Sequence, residues 1–446
     1  MESNETLQLT YLALDQIKPA RRNPRKHSSA QIKQLMNSVS AFGFVAPVLV
    51  DRNRALIAGH ARFEAARKLG KRTIPVVSLE HLTEAQVDAL RIADNRLTDL
   101  SEWDDQLLAE TLRDLSELDL DFDIQATGFE MAEIDLRIED LSIQPATSDA
   151  ADKIPEPNGD VVVSKPGDIW LCGRHKVVCG NSLSDEIHQR LFGHTKADMV
   201  FTDPPYNVPI HGHVSGQGQI HHREFAMASG ELDRAGFISF LKTSCTLMAR
   251  YCADGAIVFL CMDWRHMDEL LQAGRDAFTE LKNVCVWVKS NGGLGSLYRS
   301  QHEMVFVYKN GTAPHRNNVQ LGKHGRNRSN TWNYPNTTSF GRPSEEGHLA
   351  KLHPTVKPVA MVADAILDCS ARGQTIFDPF MGSGTTLIAA ERVGRVCRGI
   401  EIDPFYVDTI VRRWQAFTGD RAVHEKSGLC FDDLSAEMES NPLSAE

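Results

Sequence analysis

The sequence predicts an α/β protein whose larger part is built on a mixed, mostly parallel sheet, preceded by a small α+β domain and a helical segment. An apolar strand, 199–202, ends in Asp-Pro-Pro-Tyr at 203–206, where two prolines prevent further strand pairing. A second apolar strand, 375–377, leads through a glycine-rich turn into a helix, and a third strand, 396–403, ends in acidic residues. Ligands of open α/β sheets bind at such strand ends.

Composition limits the partners and the location of the protein. A chain of 446 residues can form two or three domains, and its 42% hydrophobic and 24% charged content is ordinary. The net charge of −11 excludes a globally basic surface for nucleic acid, so any such surface must be local. Nine cysteines without a Cys-x-x-Cys motif are typical of reduced thiols, and no apolar run reaches the ~18 residues of a membrane helix. With a polar N-terminus that does not resemble a signal peptide, these features predict a cytoplasmic protein.

The first 142 residues predict two small structural blocks. Residues 1–80 contain four strand-like runs and two helices, which predicts a compact α+β domain. Residues 81–142 predict a helical extension, in which Thr83 and Asp104 are suitable N-caps. Its helices are expected in three ranges: 83–94, 104–118 and 130–141. Proline and serine in 143–160 are typical of a linker.

Residues 161–420 predict the main domain, and 421–446 a C-terminal tail. A hairpin at 168–182 is expected to lead into the sheet, followed by a helix at 185–192. The other strong strands are expected in three ranges: 256–260, 284–289 and 302–309. The irregular stretch 208–230 carries four histidines among hinge glycines, and we expect a mobile lid there. Metal binding is the alternative, but no regular element fixes the spacing of the histidines, and no metal is predicted.

The corner at 203–206 offers two hydrogen-bond acceptors and an aromatic face. Asp203 contributes a carboxylate, Pro204 a backbone carbonyl, and Tyr206 a ring. A planar exocyclic amino group needs this set, because it has two N–H bonds to donate and a face to stack. The alternative is a proline-rich strand exit with an ordinary tyrosine.

The glycine-rich turn after 375–378 favours a nucleoside ligand without phosphates. Gly382 and Gly384 allow close approach of the backbone to a ligand. The pattern is neither Gly-x-Gly-x-x-Gly nor a phosphate-binding loop, since no lysine follows the glycines. Acidic residues at the end of the next strand, Glu401 and Asp403, are placed where nucleotide folds bind ribose hydroxyls.

Three motifs in order resemble those of the β group of amino DNA methyltransferases. They are Asp-Pro-Pro-Tyr at 203–206, His-Pro-Thr-Val-Lys-Pro at 353–358, and Phe-Asp-Pro-Phe-Met-Gly-Ser-Gly-Thr at 377–385. The resemblance covers roughly 166–419 and implies a circularly permuted, Rossmann-like methyltransferase fold. It also implies S-adenosyl-L-methionine as the cofactor and double-stranded DNA with a flipped target base as the substrate.

The resemblance assigns roles to individual positions. Catalytic roles fall on the corner: Asp203, Pro204, Pro205 and Tyr206. Cofactor binding falls on a larger set: Asn181, Thr355, Lys357, Asp378, Pro379, Phe380, Gly382, Ser383, Gly384, Thr385, Glu401 and Asp403. Within this set, Lys357 and Thr355 are expected to face the carboxylate of the cofactor. Asn181 stands where the family usually has an aspartate that contacts the adenine amino group.

A local excess of basic residues predicts the DNA-contacting surface. From 301 to 350, six basic residues outnumber three acidic ones, and the position matches the target-recognition region of the family, about 310–350. The candidate DNA-binding residues are Lys323, Arg326, Arg328, Asn330 and Trp332. A solvated loop is the alternative.

The first domain resembles the ParB N-terminal, or ParB/sulfiredoxin-like, domain. The resemblance rests on Asn-Pro-Arg at 23–25 and Gly-His-Ala-Arg at 59–62. It implies that a nucleotide phosphate can bind at the helix start between Gly59 and Arg62. The alternative is a structural glycine and a surface arginine.

Several functions remain open at this point. Asp203 before Pro-Pro-Tyr favours adenine-N6 over cytosine-N4 methylation, whereas no Pro-Cys dipeptide is present for a 5-position cytosine enzyme. An RNA or protein methyltransferase could share the corner. A non-enzymatic ParB-like DNA-binding protein with an inactive methyltransferase domain is a further alternative, because of Asn181. A restriction-modification role, a bacterial, phage or prophage nucleoid setting and a homodimer are expectations from the resemblance.

Overall fold

The computed structural model divides the chain into two compact units, Met1–Ile143 and Gln144–Glu446. It describes residues 7–20, 24–98, 100–101, 103–118, 120–140, 150–155, 162–207, 230–290, 297–320, 328–335 and 356–440. The finer division into domain, helical extension and linker remains a prediction.

The first unit begins with a four-stranded sheet in the order β1-β4-β2-β3. Its strands are β1 (Leu9–Ala13), β2 (Val48–Val50), β3 (Leu56–Ala58) and β4 (Thr73–Ser78). Two helices accompany it: α1 (Ser29–Phe42) and α2 (His60–Lys68). The Ser28 hydroxyl accepts from the Gln31 N–H at 3.1 Å and caps α1, as a serine before an amphipathic run predicts. Val48, Leu56 and Ile74 are buried in the core of this sheet.

Three more α-helices lie in the described part of the first unit. They are α3 (Glu84–Thr98), α4 (Asp105–Glu117) and α5 (Met131–Asp140). Asp104 caps α4 by accepting from the Leu107 N–H at 3.0 Å. The sequence predicted a polar connection from Asp94 onwards, but α3 continues for four more residues. In this stretch Asn95 donates to the Arg91 carbonyl and Thr98 to the Asp94 carbonyl, so polar side chains bond back to the helix.

The second unit contains a ten-stranded sheet in the order β11-β9-β10-β8-β7-β12-β13-β6-β5-β14. Its strands in chain order are β5 (Ile169–Cys172), β6 (His175–Cys179), β7 (Ala197–Thr202), β8 (Cys252–Met262), β9 (Glu280–Val288), β10 (His302–Lys309), β11 (Thr331–Asn333), β12 (Thr375–Asp378), β13 (Val396–Glu401) and β14 (Val423–His424). The five central strands, from β8 to β6, are parallel, while β9 and β10 form an antiparallel pair. The predicted mixed α/β class is therefore confirmed.

Helices cover both faces of this sheet. They are α6 (Asp185–Phe192), α7 (Arg234–Tyr251), α8 (Met267–Ala277), α9 (Val359–Cys369), α10 (Thr385–Arg392), α11 (Pro404–Thr418) and α12 (Phe431–Ser440). Alternate strand residues pack into different cores: Met199 lies in the core with α9 to α11, whereas Val200 lies in the core with α6 to α8. Burial on both faces explains why the central strands are continuous apolar runs in the sequence.

Part of the predicted linker packs into the second unit. Ala151 is buried in its core, and the Ala151 carbonyl accepts from Arg413 at 3.0 Å. The Asp152 carboxylate accepts from the Val359 N–H at 2.8 Å, at the start of α9. These contacts fix residues 150–152 beside the glycine-rich turn.

Two further features of the structure are the state of the cysteines and the length of the helices. All nine cysteines are free thiols, and seven of them are buried. None of the helices in the described ranges combines the length and apolarity needed to cross a bilayer.

Candidate active site

The parallel strands bring the predicted residues to one edge of the sheet. The corner after β7 and the glycine-rich turn after β12 line a common cavity, together with the end of β13. The predicted residues that line it are Asp203, Pro204, Pro205, Tyr206, Lys357, Asp378, Pro379, Phe380, Gly382, Ser383, Thr385, Glu401 and Asp403. The corner and the turn therefore face the same space, as a shared reaction requires.

The glycine-rich turn has the conformation that its glycines allow. Gly382 and Gly384 have φ values of 50° and 83°, in the left-handed region that residues with a Cβ rarely adopt. Gly384 is the N-cap of α10. Beneath the turn, the buried Arg413 donates to the Ser383 carbonyl at 3.0 Å. The turn thus presents its backbone to the cavity from a supported position.

Asp378 joins the corner strand to the turn. Its carboxylate accepts from the Thr202 hydroxyl at 2.6 Å and from the Phe380 N–H at 3.0 Å. Burial raises the pKa of the Asp378 carboxyl to about 6, although these hydrogen bonds to the carboxylate oppose the shift. Asp378 therefore holds the start of the turn through bonds to β7 and to its own loop.

Glu401 closes the other wall of the cavity. One carboxylate oxygen accepts from the Gly382 N–H at 2.8 Å, and the other accepts from the Asp403 N–H at 2.9 Å. Burial raises the pKa of the Glu401 carboxyl to about 7, against the lowering effect of these two bonds. The Asp403 side chain instead caps α11 by accepting from the Phe405 N–H at 3.0 Å.

The corner side chains form a hydrogen-bonded group with Lys357. The Tyr206 hydroxyl donates to Asp203 Oδ1 at 2.5 Å, and Lys357 Nζ donates to Asp203 Oδ2. Lys357 Nζ also lies 5.7 Å from the centroid of the Tyr206 ring. Burial raises the pKa of the Asp203 carboxyl, and the Lys357 ammonium opposes that rise. Lys357 was expected to face the cofactor, whereas the structure joins it to Asp203 in the corner.

Sequence reasoning missed a second carboxylate in this group. Glu303 on β10 lies 3.0 Å from Lys357 Nζ and forms an ion pair with Lys289. Its side chain is 8% exposed. An acidic residue within the apolar strand at 302–309 was the available signal, because a buried charge needs a partner.

The neighbourhood of Asn181 also differs from the expectation. Asn181 is exposed, does not line the cavity, and accepts from the Leu183 N–H at 2.8 Å through its side chain. The next residue, Ser182, lines the cavity, is 3% exposed, and its hydroxyl has no hydrogen-bond partner among the described residues. Ser182 is thus an additional candidate for ligand contact, and the role of Asn181 remains a prediction.

The predicted DNA-binding residues fall into two groups. Lys323 and Arg326 lie outside the described residues, as do Thr355 of the cofactor set and the histidines of the predicted lid. The other three are described, and only Asn330 is exposed.

Two of the described DNA-binding candidates have internal contacts instead. Arg328 forms ion pairs with Asp364 and Asp368 of α9, at 2.9 and 3.0 Å. Trp332 is 5% exposed and belongs to the core of the second unit, under the Arg328 guanidinium. A buried ring cannot stack on a base in this conformation, so the structure does not support the predicted stacking role of Trp332. Arg328 is half-buried and already paired with two carboxylates, and its contact with DNA remains a prediction.

The Gly59–Arg62 segment of the first unit has a structural explanation. Gly59 has a φ of 91°, and a Cβ there would lie 2.8 Å from a Val48 methyl carbon. Arg62 donates to the Ala46 carbonyl at 3.2 Å. Both observations account for these residue types through packing, and nucleotide binding at this helix start remains a prediction.

Comparison with protein families divides the chain into three matched regions. Residues 1–101 match the model of the ParB N-terminal domain, and 106–166 that of the ParB-methyltransferase HTH domain. Residues 197–412, which include all of the cavity-lining residues except Gly180 and Ser182, match the model of a DNA methylase.

Two curated proteins are similar to parts of the chain. The ParB-like nuclease domain-containing protein YnaK of Escherichia coli K12 is 40% identical over 83 residues, which are 19% of this chain and 95% of YnaK. The type II methyltransferase M.ScaI of Streptomyces caespitosus is 39% identical over 92 residues, which are 21% of this chain and 30% of that enzyme. Among solved structures, the cytosine-N4-specific PvuII DNA methyltransferase is 16% identical with a TM-score of 0.43, covering 61% of this chain and 94% of that one.

Proposed function

The chain joins a ParB N-terminal domain to a domain of the N6/N4 DNA methyltransferase family, and we propose that it methylates the N6 nitrogen of adenine in double-stranded DNA. The single observation that carries this proposal is the shared cavity. The Asp203–Tyr206 corner and the glycine-rich turn both line this cavity.

The corner serves as the pocket for the target base. The base is rotated out of the duplex, because its amino group is otherwise paired and stacked. Asp203 and the Pro204 carbonyl accept from the two amino hydrogens, and Tyr206 stacks on the ring. Both Asp203 oxygens already accept one hydrogen bond, but each carboxylate oxygen has a second lone pair for the base. This arrangement orients the nitrogen lone pair without a covalent enzyme intermediate.

The turn and the end of β13 serve as the cofactor side. S-adenosyl-L-methionine supplies the methyl group on its sulfonium when it is bound there. The Glu401 carboxylate accepts from the ribose hydroxyls, while the backbone from Gly382 to Thr385 contacts the methionine part. The residues fit this ligand, because Glu401 is held by two backbone N–H groups and the Ser182 hydroxyl lacks a partner in the described ranges. Asp378 acts by holding the turn on β7.

A methylation assay with nucleoside analysis tests the proposal. The purified full-length chain is incubated with labelled S-adenosyl-L-methionine and genomic DNA from methylation-free cells, and the DNA is hydrolysed to nucleosides. We expect the label in N6-methyladenine. Label in N4-methylcytosine would leave the amino-methyltransferase assignment intact and overturn the base assignment. Transfer to RNA alone, or to protein alone, would overturn the DNA assignment.

Aspartate at the first corner position is the feature that favours adenine. This preference for adenine is a tendency within the family, so cytosine-N4 methylation is the second candidate function. Whole-genome sequencing that detects modified bases in cells expressing the chain would give the target base and the recognition sequence together.

The affinity for S-adenosyl-L-methionine should rise with pH around neutrality. The pKa of Glu401 is about 7, so its ionised fraction increases from about one tenth at pH 6 to about nine tenths at pH 8. Only the ionised carboxylate accepts on both oxygens, and hydrogen bonds to charged groups contribute about 1 kcal/mol more than neutral ones. Because about one tenth of the carboxyl is already ionised at pH 6, we expect the dissociation constant to fall about three- to fourfold from pH 6 to pH 8, measured by calorimetry.

Two variants control this experiment. Glu401→Gln retains the shape but cannot ionise, so its affinity should be weaker at pH 8 and should change less between pH 6 and 8 than that of the parent. Asp378, with a pKa of about 6, is a second carboxyl of the turn that titrates near the lower end of this range. Glu425→Gln removes an exposed carboxylate that pairs with Lys176, and its pH dependence should match the parent chain. A pH dependence in Glu401→Gln as large as that of the parent would contradict the assignment of this titration to Glu401.

A further inference from the structure

Four charged side chains form a closed group behind the target-base pocket. Asp203 and Glu303 supply two carboxylates, and Lys289 and Lys357 supply two ammonium groups. Lys357 Nζ contacts both carboxylates and is 5% exposed, whereas Lys289 contacts Glu303 from the other side. The Tyr206 hydroxyl lies 2.5 Å from Asp203 Oδ1 and 3.3 Å from Glu303 Oε2. The group has no net charge when all four side chains are ionised.

Glu303 is the most firmly placed member of this charged group. It lies on β10, where it pairs with Trp287 of β9 in the antiparallel register. Trp287 is 2% exposed and donates to the Tyr334 carbonyl at 2.9 Å. Lys289 follows β9 directly, and its N–H donates to the Gln301 carbonyl at 2.9 Å. Asp203, by contrast, lies on a loop corner outside the strand. Because the sheet holds Glu303 in place, Glu303 can position Lys357 and Tyr206.

The two ammonium groups keep Glu303 ionised. Burial alone would raise the pKa of its carboxyl, but Lys357 and Lys289 outweigh burial and lower that pKa to about 2. A carboxylate that stays charged at every working pH is unsuited to taking a proton from the substrate. Its contacts with Lys357 and Tyr206 suit it instead to orienting neighbouring groups.

We propose that Glu303 is a positioning residue that holds the Lys357 ammonium and the Tyr206 hydroxyl, and through them the acceptor orientation of Asp203. This inference rests on the proposed methyl transfer and deepens it. Without Glu303, Lys357 has one carboxylate partner instead of two. Its ammonium group would then donate to Asp203 alone and compete with the amino group of the base for the Asp203 oxygens. The loss should affect the chemical step much more than cofactor binding.

The test compares Glu303→Gln with the parent in the full-length chain. We expect the single-turnover rate of DNA methylation to fall about 30- to 300-fold, while the dissociation constant of S-adenosyl-L-methionine changes less than threefold. Glu303 raises the pKa of Asp203, so its removal should lower that pKa. The acid limb of the rate profile should therefore move to lower pH, a change that a merely structural role would not produce.

Further variants keep the test decisive. Glu303→Asp retains the charge and protects folding but shortens the side chain by one methylene, and we expect a rate loss of about tenfold. Glu280, on the exposed end of β9, pairs with Lys282, and Glu280→Gln should behave as the parent. Parental rates in both Glu303 variants, or an unmoved acid limb, would overturn the inference. An inactive parent chain would instead contradict the proposed function, so the two failures are distinguishable.

Discussion

Replacement of Asp203 by alanine is expected to abolish methyl transfer, with a fall in the single-turnover rate of at least about a thousandfold. The substitution removes the carboxylate that accepts from the target amino group and that also accepts from Tyr206 and Lys357. It leaves the turn, Asp378 and Glu401 in place, and none of their described hydrogen bonds involves Asp203. Binding of S-adenosyl-L-methionine should therefore remain measurable, within about fivefold of the parent, an expectation set by the small coupling between separated sites.

The controls separate loss of chemistry from loss of fold. Asp203→Asn keeps the size of the side chain and one acceptor oxygen, so we expect it to retain more activity than the alanine variant but far less than the parent. Asp276→Ala removes an exposed aspartate that pairs with Lys242 on the surface, and its rate should be unchanged. Turnover of Asp203→Ala at a rate near that of the parent would refute the catalytic assignment, whatever its stability.

The architecture was predictable because its signals are local. The strand at 302–309 has the bounds that its apolar pattern predicts, and the glycine-rich turn between β12 and α10 follows from a strand, two glycines and a helix start. The meeting of corner and turn at one edge follows from the parallel arrangement of β7 and β12. Local pattern and sheet topology together give the cavity without knowledge of any side-chain partner.

The partners of charged side chains were not predictable in the same way. Lys357 and Asp203 are 154 residues apart in the chain, and Tyr206 and Glu303 are 97 apart. No local spacing relates such residues. The sequence therefore predicted a role for Lys357 from its own motif, as a contact of the cofactor carboxylate. The half-buried Arg328 is a second example. An arginine in this basic stretch predicted a contact with DNA phosphate. In the structure its ion pairs are instead with Asp364 and Asp368, which lie one turn apart on α9.

Burial also decides between roles that the residue type leaves open. Tryptophan in a polar stretch suggested a stacking surface, yet Trp332 forms β11 beside β9 and completes the core around Phe259. Burial likewise makes Ser182, rather than the exposed Asn181, the candidate for ligand contact. A sequence motif identifies the neighbourhood of a site, whereas contacts across the sheet identify which member of the motif can reach the ligand.

Replacement of Lys357 by methionine is expected to have the second-largest effect, because it leaves the half-buried Asp203 carboxylate and the buried Glu303 carboxylate without their shared ammonium group. Asp203 and Glu303 would then face each other across the Tyr206 hydroxyl. Removal of one partner from a buried ion pair costs about 3–5 kcal/mol of stability. The like charges also favour protonation of one carboxyl. We expect the rate at pH 7 to fall about 100- to 1,000-fold, by analogy with loss of an electrostatic group in an active site.

The direction of the pH change in Lys357→Met distinguishes the two roles considered for this lysine. Lys357 lowers the pKa of Asp203, so its removal should raise that pKa and move the acid limb of the rate profile to higher pH, opposite to Glu303→Gln. Lys357→Arg retains the charge and should keep the parental limb at a reduced rate. A lysine that bound the carboxylate of the cofactor would give a different result on replacement. Its loss would weaken binding of S-adenosyl-L-methionine at least tenfold and leave the limb unmoved, because no carboxyl of the base pocket would depend on it.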